Sequence, residues 1–224
     1  MASFNFGSGG EGAPKFDFGN IPINSAEAGG DGDSDDEALA DRGPSAIIPD
    51  RLYIGNRFDA VESALRKRGF THVLCCTSGA LRVPMEGITR VLMPLCDYGT
   101  SDIMEDVVDV AVPFIADALA DADSRVLVHC SQGVNRSVMT TVTYLMVKER
   151  MPLREAWALV SSKRTQACMH DNYVDQLRKL DLHLFGTAST EPGDLPTTRA
   201  AIAFAMADYR PPQGAAAGDQ QGSS

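Results

Sequence analysis

The stretch from Arg125 to Val147 constrains the fold more than any other part of this chain. An apolar run, Val126-Leu127-Val128, drives into His129-Cys130-Ser131-Gln132-Gly133-Val134-Asn135-Arg136-Ser137, and Val138 to Val147 is then apolar on nearly every face. A helix that is apolar all round needs cover on every side, and a short apolar run bounded by polar residues suits a buried strand. Strand, tight loop and buried helix in direct succession require further layers around them. That predicts an α/β domain.

The flanking sequence supplies those layers. Leu52–Ile54, Thr71–Cys76 and Ile88–Leu95 read as strands, and Asp59–Arg68 as a helix that closes at Gly69. Asp102–Ala120 has the composition of a long helix with acidic residues in its first turns, and Pro113 should kink or break it. Pro152 suits the first turn of a helix running to Ser162, and His170–Leu184 reads as a last one, with Tyr173, Val174, Leu177, Leu180 and Leu184 on its apolar positions.

Charge divides the chain into three parts. Residues 1–44 carry nine acidic side chains against two basic, residues 45–185 carry 17 against 16, and residues 186–224 carry four against two. The first segment, rich in Gly, Ser, Ala and Asp, has too little apolar surface to repay ordering, so a disordered tail is expected there. Within it, Phe4-Asn5-Phe6-Gly7 and Phe16-Asp17-Phe18-Gly19 resemble repeats bound by nuclear transport receptors, which makes such a receptor a candidate partner. Gly186–Ser224 is expected to be mostly disordered, with a short helix at Thr198–Ala207 as its one ordered piece. The domain between the tails is nearly neutral, and no basic patch invites nucleic acid. No apolar run is long enough to span a membrane and no secretory signal opens the chain, so a cytoplasmic protein, present in the nucleus as well, is expected. The five cysteines lack paired C-x-x-C spacing, which favours reduced thiols over a disulfide framework and argues against a structural zinc site.

A loop that runs from a strand into a helix N-terminus turns several backbone N–H groups toward one point, where the helix dipole adds positive potential. An anion belongs there. Cys130 begins this loop, so the amides of Ser131, Gln132, Gly133, Val134, Asn135 and Arg136 would stabilise its thiolate and cradle a phosphoryl group. Arg136, six positions on, can return its guanidinium across the bowl and grip two phosphoryl oxygens. Gly133 lets the backbone take positive φ at the bottom. Ser137 is placed to donate to the sulfur, and His129, just before the nucleophile, to orient the loop backbone.

With these residues in view, His129-Cys130-x5-Arg136-Ser137 resembles the active-site loop of the cysteine-dependent protein tyrosine phosphatase superfamily. Ile48 to Gly55, Gly69 to Leu74, Tyr144 to Met146 and Leu153 to Ala156 fall in the order of its dual-specificity branch. The resemblance covers residues 45–185. It implies a single domain with a twisted, mainly parallel central sheet flanked by helices, no metal and no organic cofactor. It also implies a phosphocysteine intermediate on Cys130 and a general acid and base in a separate loop, for which Asp97 is the candidate and Asp102 the fallback, although Asp102 better suits a helix cap.

Phosphorylated protein, through phosphotyrosine and phosphoserine or phosphothreonine, is the substrate class implied by that branch. The neutral residues Ser131, Gln132, Val134 and Asn135 disfavour inositol lipids. Asn before Arg136 is shared with RNA 5′-triphosphatases of the superfamily, which leaves an RNA 5′-phosphate as an alternative, and a non-catalytic phosphate-binding scaffold as another. Relatives often carry Pro-Asn where Met169-His170 stand, a departure that bears on the pocket rim. Cys75 or Cys76, at the end of a strand, stands where some relatives supply a resolving thiol.

Overall fold

The computed structural model describes residues 43–78 and 84–197. The two Phe-rich copies near the N-terminus, nearly all of the acidic tail and the helix expected over Thr198–Ala207 lie outside the described residues. Among the described residues no helix is long and apolar enough to cross a membrane.

Five short strands form one sheet: β1 (Ser45–Ile48), β2 (Leu52–Gly55), β3 (His72–Cys75), β4 (Thr89–Leu92) and β5 (Val126–His129), in the order β1-β2-β5-β3-β4. Every pairing is parallel except β1 with β2. The central position of β5 explains its composition. Leu127 lies opposite Tyr53 on one side and Val73 on the other, and all four residues of the strand are buried. Parallel strands covered on both faces read as continuous apolar runs, as this one does.

The helices are α1 (Glu62–Lys67), α2 (Val112–Ala120), α3 (Arg136–Val147), α4 (Leu153–Lys163) and α5 (Asp171–Phe185), with a π-helical segment, Ile103–Ala111, before α2. Helix α3 crosses the centre of the core, and every residue from Arg136 to Met146 is buried. Its polar residues survive there by turning inward on their own backbone: the hydroxyls of Thr140, Thr141 and Thr143 donate to the carbonyls of Arg136, Ser137 and Met139 at 2.9, 2.9 and 3.0 Å.

Two local features differ from the sequence reading, and the break expected at Pro113 takes a specific form. The first helix begins at Glu62 rather than Asp59, because the Asn56 side chain accepts from the amides of Phe58 (2.8 Å) and Asp59 (3.3 Å) while Asp59 accepts from the Asn56 amide (2.9 Å). These bonds lock a turn where a helix could have started. The helix expected over Asp102–Ala120 changes register, with the Val112 amide donating five residues back to Val107, immediately before Pro113, which lacks an N–H and sits in the first turn of α2. β1, absent from the sequence reading, pairs through Ser45 and Ala46 with Ile54 and Tyr53.

The packed domain also continues past Phe185, where the sequence reading closes it. Gly186 ends α5 in the left-handed conformation, and the chain turns back as a strap to residue 197. Asp181, fully buried on α5, accepts from the amides of Leu153 (2.9 Å) and Ser189 (2.5 Å) and from the Ser189 hydroxyl (2.7 Å). Arg154 adds a bond to the Ser189 carbonyl (2.7 Å) and an ion pair with Asp194 (2.6 Å), and Leu195 is buried.

Candidate active site

Parallel α/β sheets present ligand sites beyond the carboxyl ends of their strands. A cleft of about 580 Å³ opens at the end of β5, lined by Cys130, Arg136, Asp97, Tyr98, Arg57 and His170 among others. The loop expected to hold an anion lies at its base.

The direction in which this loop faces follows from its carbonyls. Each one from Cys130 to Asn135 accepts a bond from outside the bowl. His129 Nδ1 donates to Cys130 O at 3.4 Å, and the Arg57 amide donates to Ser131 O at 3.1 Å. Arg164 donates from Nη2 to Gln132 O at 3.5 Å and from Nε to Gly133 O. The Cys168 amide serves Val134 O at 2.9 Å and the Met139 amide serves Asn135 O at 2.9 Å. With the carbonyls committed outward, the amides of the same peptide units turn toward the thiol, and the Gly133 amide donates to Cys130 Sγ at 3.2 Å. Ser137 Oγ lies 3.3 Å from the same sulfur, and Arg136 Nη2 donates to Ser131 Oγ at 3.2 Å.

Gly133 is required on two counts. Its φ is +71°, and a Cβ there would collide with the Gly55 carbonyl and the Arg164 guanidinium. Arg164 is 1 % exposed and also donates to Ile54 O and Ser45 Oγ, each at 3.2 Å, so one side chain ties the loop to β1 and β2. Sequence reasoning missed it because a single basic residue after the last turn of an amphipathic helix looks like an ordinary surface charge. Burial pulls the His129 imidazole down to about 4, so the ring is neutral and its Nδ1–H faces the loop carbonyl.

Asp97 reaches the site from the segment after β4. Its Oδ1 is 2.9 Å from Arg136 Nε, close enough for a strong charge attraction though off the N–H axis, and it accepts from Asn135 Nδ2 at 2.9 Å. Asp102 lies elsewhere, capping the π-helical segment by accepting from the amides of Met104 (2.7 Å) and Glu105 (3.4 Å). The backbone of the Asp97 segment hangs on α5. Tyr173 donates its hydroxyl to Cys96 O, Gln176 Nε2 donates to Gly99 O (3.3 Å) and Ser101 O (3.1 Å), and Asn172 Nδ2 donates to Tyr98 O (3.4 Å). Burial pushes the Tyr173 phenol up to about 12, which keeps it a donor. None of these three was singled out for the site in the sequence, where Tyr173 registers only as an apolar position.

A model of the dual specificity phosphatase catalytic domain matches residues 52–181, more than half of the chain. The chain belongs to the dual specificity phosphatase family. Among relatives, it is 33 % identical over 144 residues to dual specificity protein phosphatase Mpk3 of Drosophila melanogaster, covering 63 % of this chain and 34 % of that one. It is 33 % identical over 140 residues to dual specificity protein phosphatase 13B of mouse, covering 59 % of this chain and 70 % of that one. The dual specificity phosphatase domain thus spans about a third of the length of the first relative. The fold is shared with human DUSP28 (TM-score 0.55, 23 % identity, 63 % of this chain and 94 % of that one). It is shared as well with a mouse putative dual specificity phosphatase crystallised with zinc tungstate (TM-score 0.57, 21 % identity, 76 % of this chain and all of that one).

Within this dual specificity phosphatase domain the departure at Met169-His170 is structural as well as local. Met169 is buried and bridges to Thr197 in the strap, while His170 caps α5 by accepting at Nδ1 from the Asn172 amide at 3.2 Å and stands on the cleft rim. All five cysteines are free. Burial pushes the Cys76 thiol up, which disfavours its thiolate in the folded domain. Among the described residues no group of three His, Cys, Asp or Glu is arranged to hold a metal ion.

Proposed function

We propose that this domain hydrolyses phosphate monoesters of protein tyrosine and of serine or threonine through a phosphocysteine intermediate on Cys130. The amides of residues 131–136 and the Arg136 guanidinium hold the three phosphoryl oxygens. The Cys130 thiolate attacks phosphorus, the bond to the leaving oxygen breaks, and Asp97 delivers its proton to that oxygen. A water then attacks phosphorus, forming the new O–P bond as the S–P bond breaks, while the Asp97 carboxylate takes a proton from the water. Phosphate leaves, the thiolate is restored with Ser137 beside it, and Asp97 is again protonated.

The observation that carries this reading is the outward commitment of the loop carbonyls around Cys130 Sγ, which turns a ring of loop amides toward the thiol, the Gly133 amide donating to it at 3.2 Å. An oxyanion with several acceptor oxygens matches such a ring, and preorganised donors of this kind stabilise transferring phosphoryl groups. The protein should release phosphate from p-nitrophenyl phosphate and from tyrosine- and threonine-phosphorylated peptides without added metal, and Cys130→Ser should reduce turnover to background. Turnover that survives Cys130→Ser would sink the mechanism. Absence of turnover in the wild-type protein, with retained vanadate binding, would make the site a phosphate-binding scaffold.

A further inference from the structure

Asn135 enters the reading above only through its backbone amide. Its side chain does something separate. The carboxamide is 5 % exposed and joins three segments that are distant in sequence. Nδ2 donates to Asp97 O at 2.7 Å and to Asp97 Oδ1 at 2.9 Å, while Oδ1 accepts from the His170 amide at 2.8 Å. Only this orientation of the amide fits, since the reverse would face an oxygen with two oxygens and an NH₂ with an N–H. One side chain therefore fixes both the backbone and the carboxylate of the candidate acid and anchors them to the entrance of α5.

We propose that the Asn135 side chain is a positioning residue for Asp97, and that it thereby determines how well this site handles serine and threonine monoesters relative to tyrosine monoesters. The inference rests on the phosphatase reading. Its physical basis is that the two substrate classes depend differently on a placed acid. A tyrosine phenoxide leaves with a conjugate-acid pKa of about 10, and an activated aryl phosphate leaves more easily still. An alkoxide from serine or threonine is far more basic and needs its proton in the transition state. Misplacing the acid costs the alkyl substrate most of the benefit of general acid catalysis, typically about 10² to 10⁴-fold in all, and costs the activated aryl substrate little.

The other attachments of the segment locate its backbone but not its carboxylate. Tyr173, Gln176 and Asn172 bond to the carbonyls of Cys96, Gly99, Ser101 and Tyr98. Arg136 also holds the Asp97 carboxylate, and its guanidinium is required by the phosphoryl oxygens as well. Once a substrate occupies the cradle, Arg136 is shared and Asn135 remains as the dedicated hydrogen-bond donor to the acid. A serine at this position would keep the backbone amide in the cradle and remove the reach to Asp97.

The test compares wild type, Asn135→Ser, Asp97→Ala and the double variant on a phosphothreonine peptide and on an aryl phosphate with an acidic phenol, with vanadate inhibition as a measure of the cradle. The expected result for Asn135→Ser is a fall in kcat of at least about ten-fold on the peptide and less than about two-fold on the aryl ester, with vanadate affinity retained. The limb of the pH profile that reports the acid should weaken on the peptide. In the Asp97→Ala background the second substitution should cost nothing further, because its effect passes through the missing carboxylate. Equal losses on both substrates, losses that multiply in the double variant, weakened vanadate binding, or no loss at all would each overturn the proposal. A wild-type protein that turns over neither substrate would overturn the phosphatase reading itself, which is a different outcome.

Discussion

The proposed phosphate cradle and the Asp97 segment meet in one cleft but are built in opposite ways. The cradle is set between strand β5 behind it and helix α3 in front, with a donor from the backbone or from the buried His129 and Arg164 side chains on each of its carbonyls. The Asp97 segment is more open, with the Asp97 side chain 55 % exposed, and is held by a handful of side chains reaching over from α3 and α5. The contrast suits the proposed chemistry. Binding a trianion-like phosphoryl group needs many fixed donors, whereas a proton carrier must approach and leave different leaving groups.

If that contrast is real, damage to the cradle should cost stability and damage to the acid segment should cost rate. The largest effect is expected for Arg164→Leu. It strips donors from Gln132, Gly133 and Ile54 and removes one of the cations, after Arg68, whose charge favours the buried Asp59 carboxylate. Breaking a buried charged network of this kind costs about 3–5 kcal/mol, so urea unfolding should show a large loss together with weakened vanadate binding. Wild-type stability in this variant would break the comparison.

A pH dependence on the cradle side follows from His129. Its ring titrates at about 4 in the fold against 6.5 in the unfolded chain, so the unfolded state takes up the proton first. The contribution to stability is complete above pH 6.5 and is lost as pH falls toward 4, by an amount on the order of 3 kcal/mol. Asp59 acts in the reverse sense, because burial raises its carboxyl pKa above 3.8 and its contribution is lost as pH rises through that raised value. The difference between the wild-type and His129→Asn unfolding curves across this window isolates the histidine, and parallel curves would remove it from the account.

On the other side, Asp97→Ala should leave the unfolding midpoint nearly unchanged while lowering kcat on a phosphothreonine peptide by about 10²-fold. A loss of stability comparable to that of Arg164→Leu would mean the two regions are not built differently after all. The smallest effect is expected for Tyr173→Phe, which removes one donor to Cys96 O and should cost about 1 kcal/mol in calorimetry, with a modest fall in kcat. That variant sharpens the comparison by asking how much the segment depends on any one of its anchors.

The same contrast governs what could be read from sequence. The cradle is encoded by neighbours: an apolar strand, a Cys, a Gly and an Arg at fixed spacing, and an apolar helix, all within Val126 to Val147. Its hidden part is Arg164, whose role depends on where carbonyls 54, 132 and 133 converge, a fact of tertiary structure with no local signal. Asp97 was recognisable only through the family resemblance, which implies an acid in a separate loop. The residues that hold it, Asn135, Tyr173 and Gln176, bear no sequence relation to it. Where local turn chemistry competes with helix composition, as at Asn56 and Asp59, the side-chain bonds of the turn prevail. The four residues of β1 gain their conformation from pairing with β2, which no pattern within Ser45–Ile48 announces.

The strap after α5 has a consequence of its own. Thr197 donates to Asp171 Oδ1 at 2.7 Å, and Asp171 lines the cleft. The strap is therefore fastened to a residue on the rim of the candidate cleft, so the packing of the strap and the shape of the site are coupled.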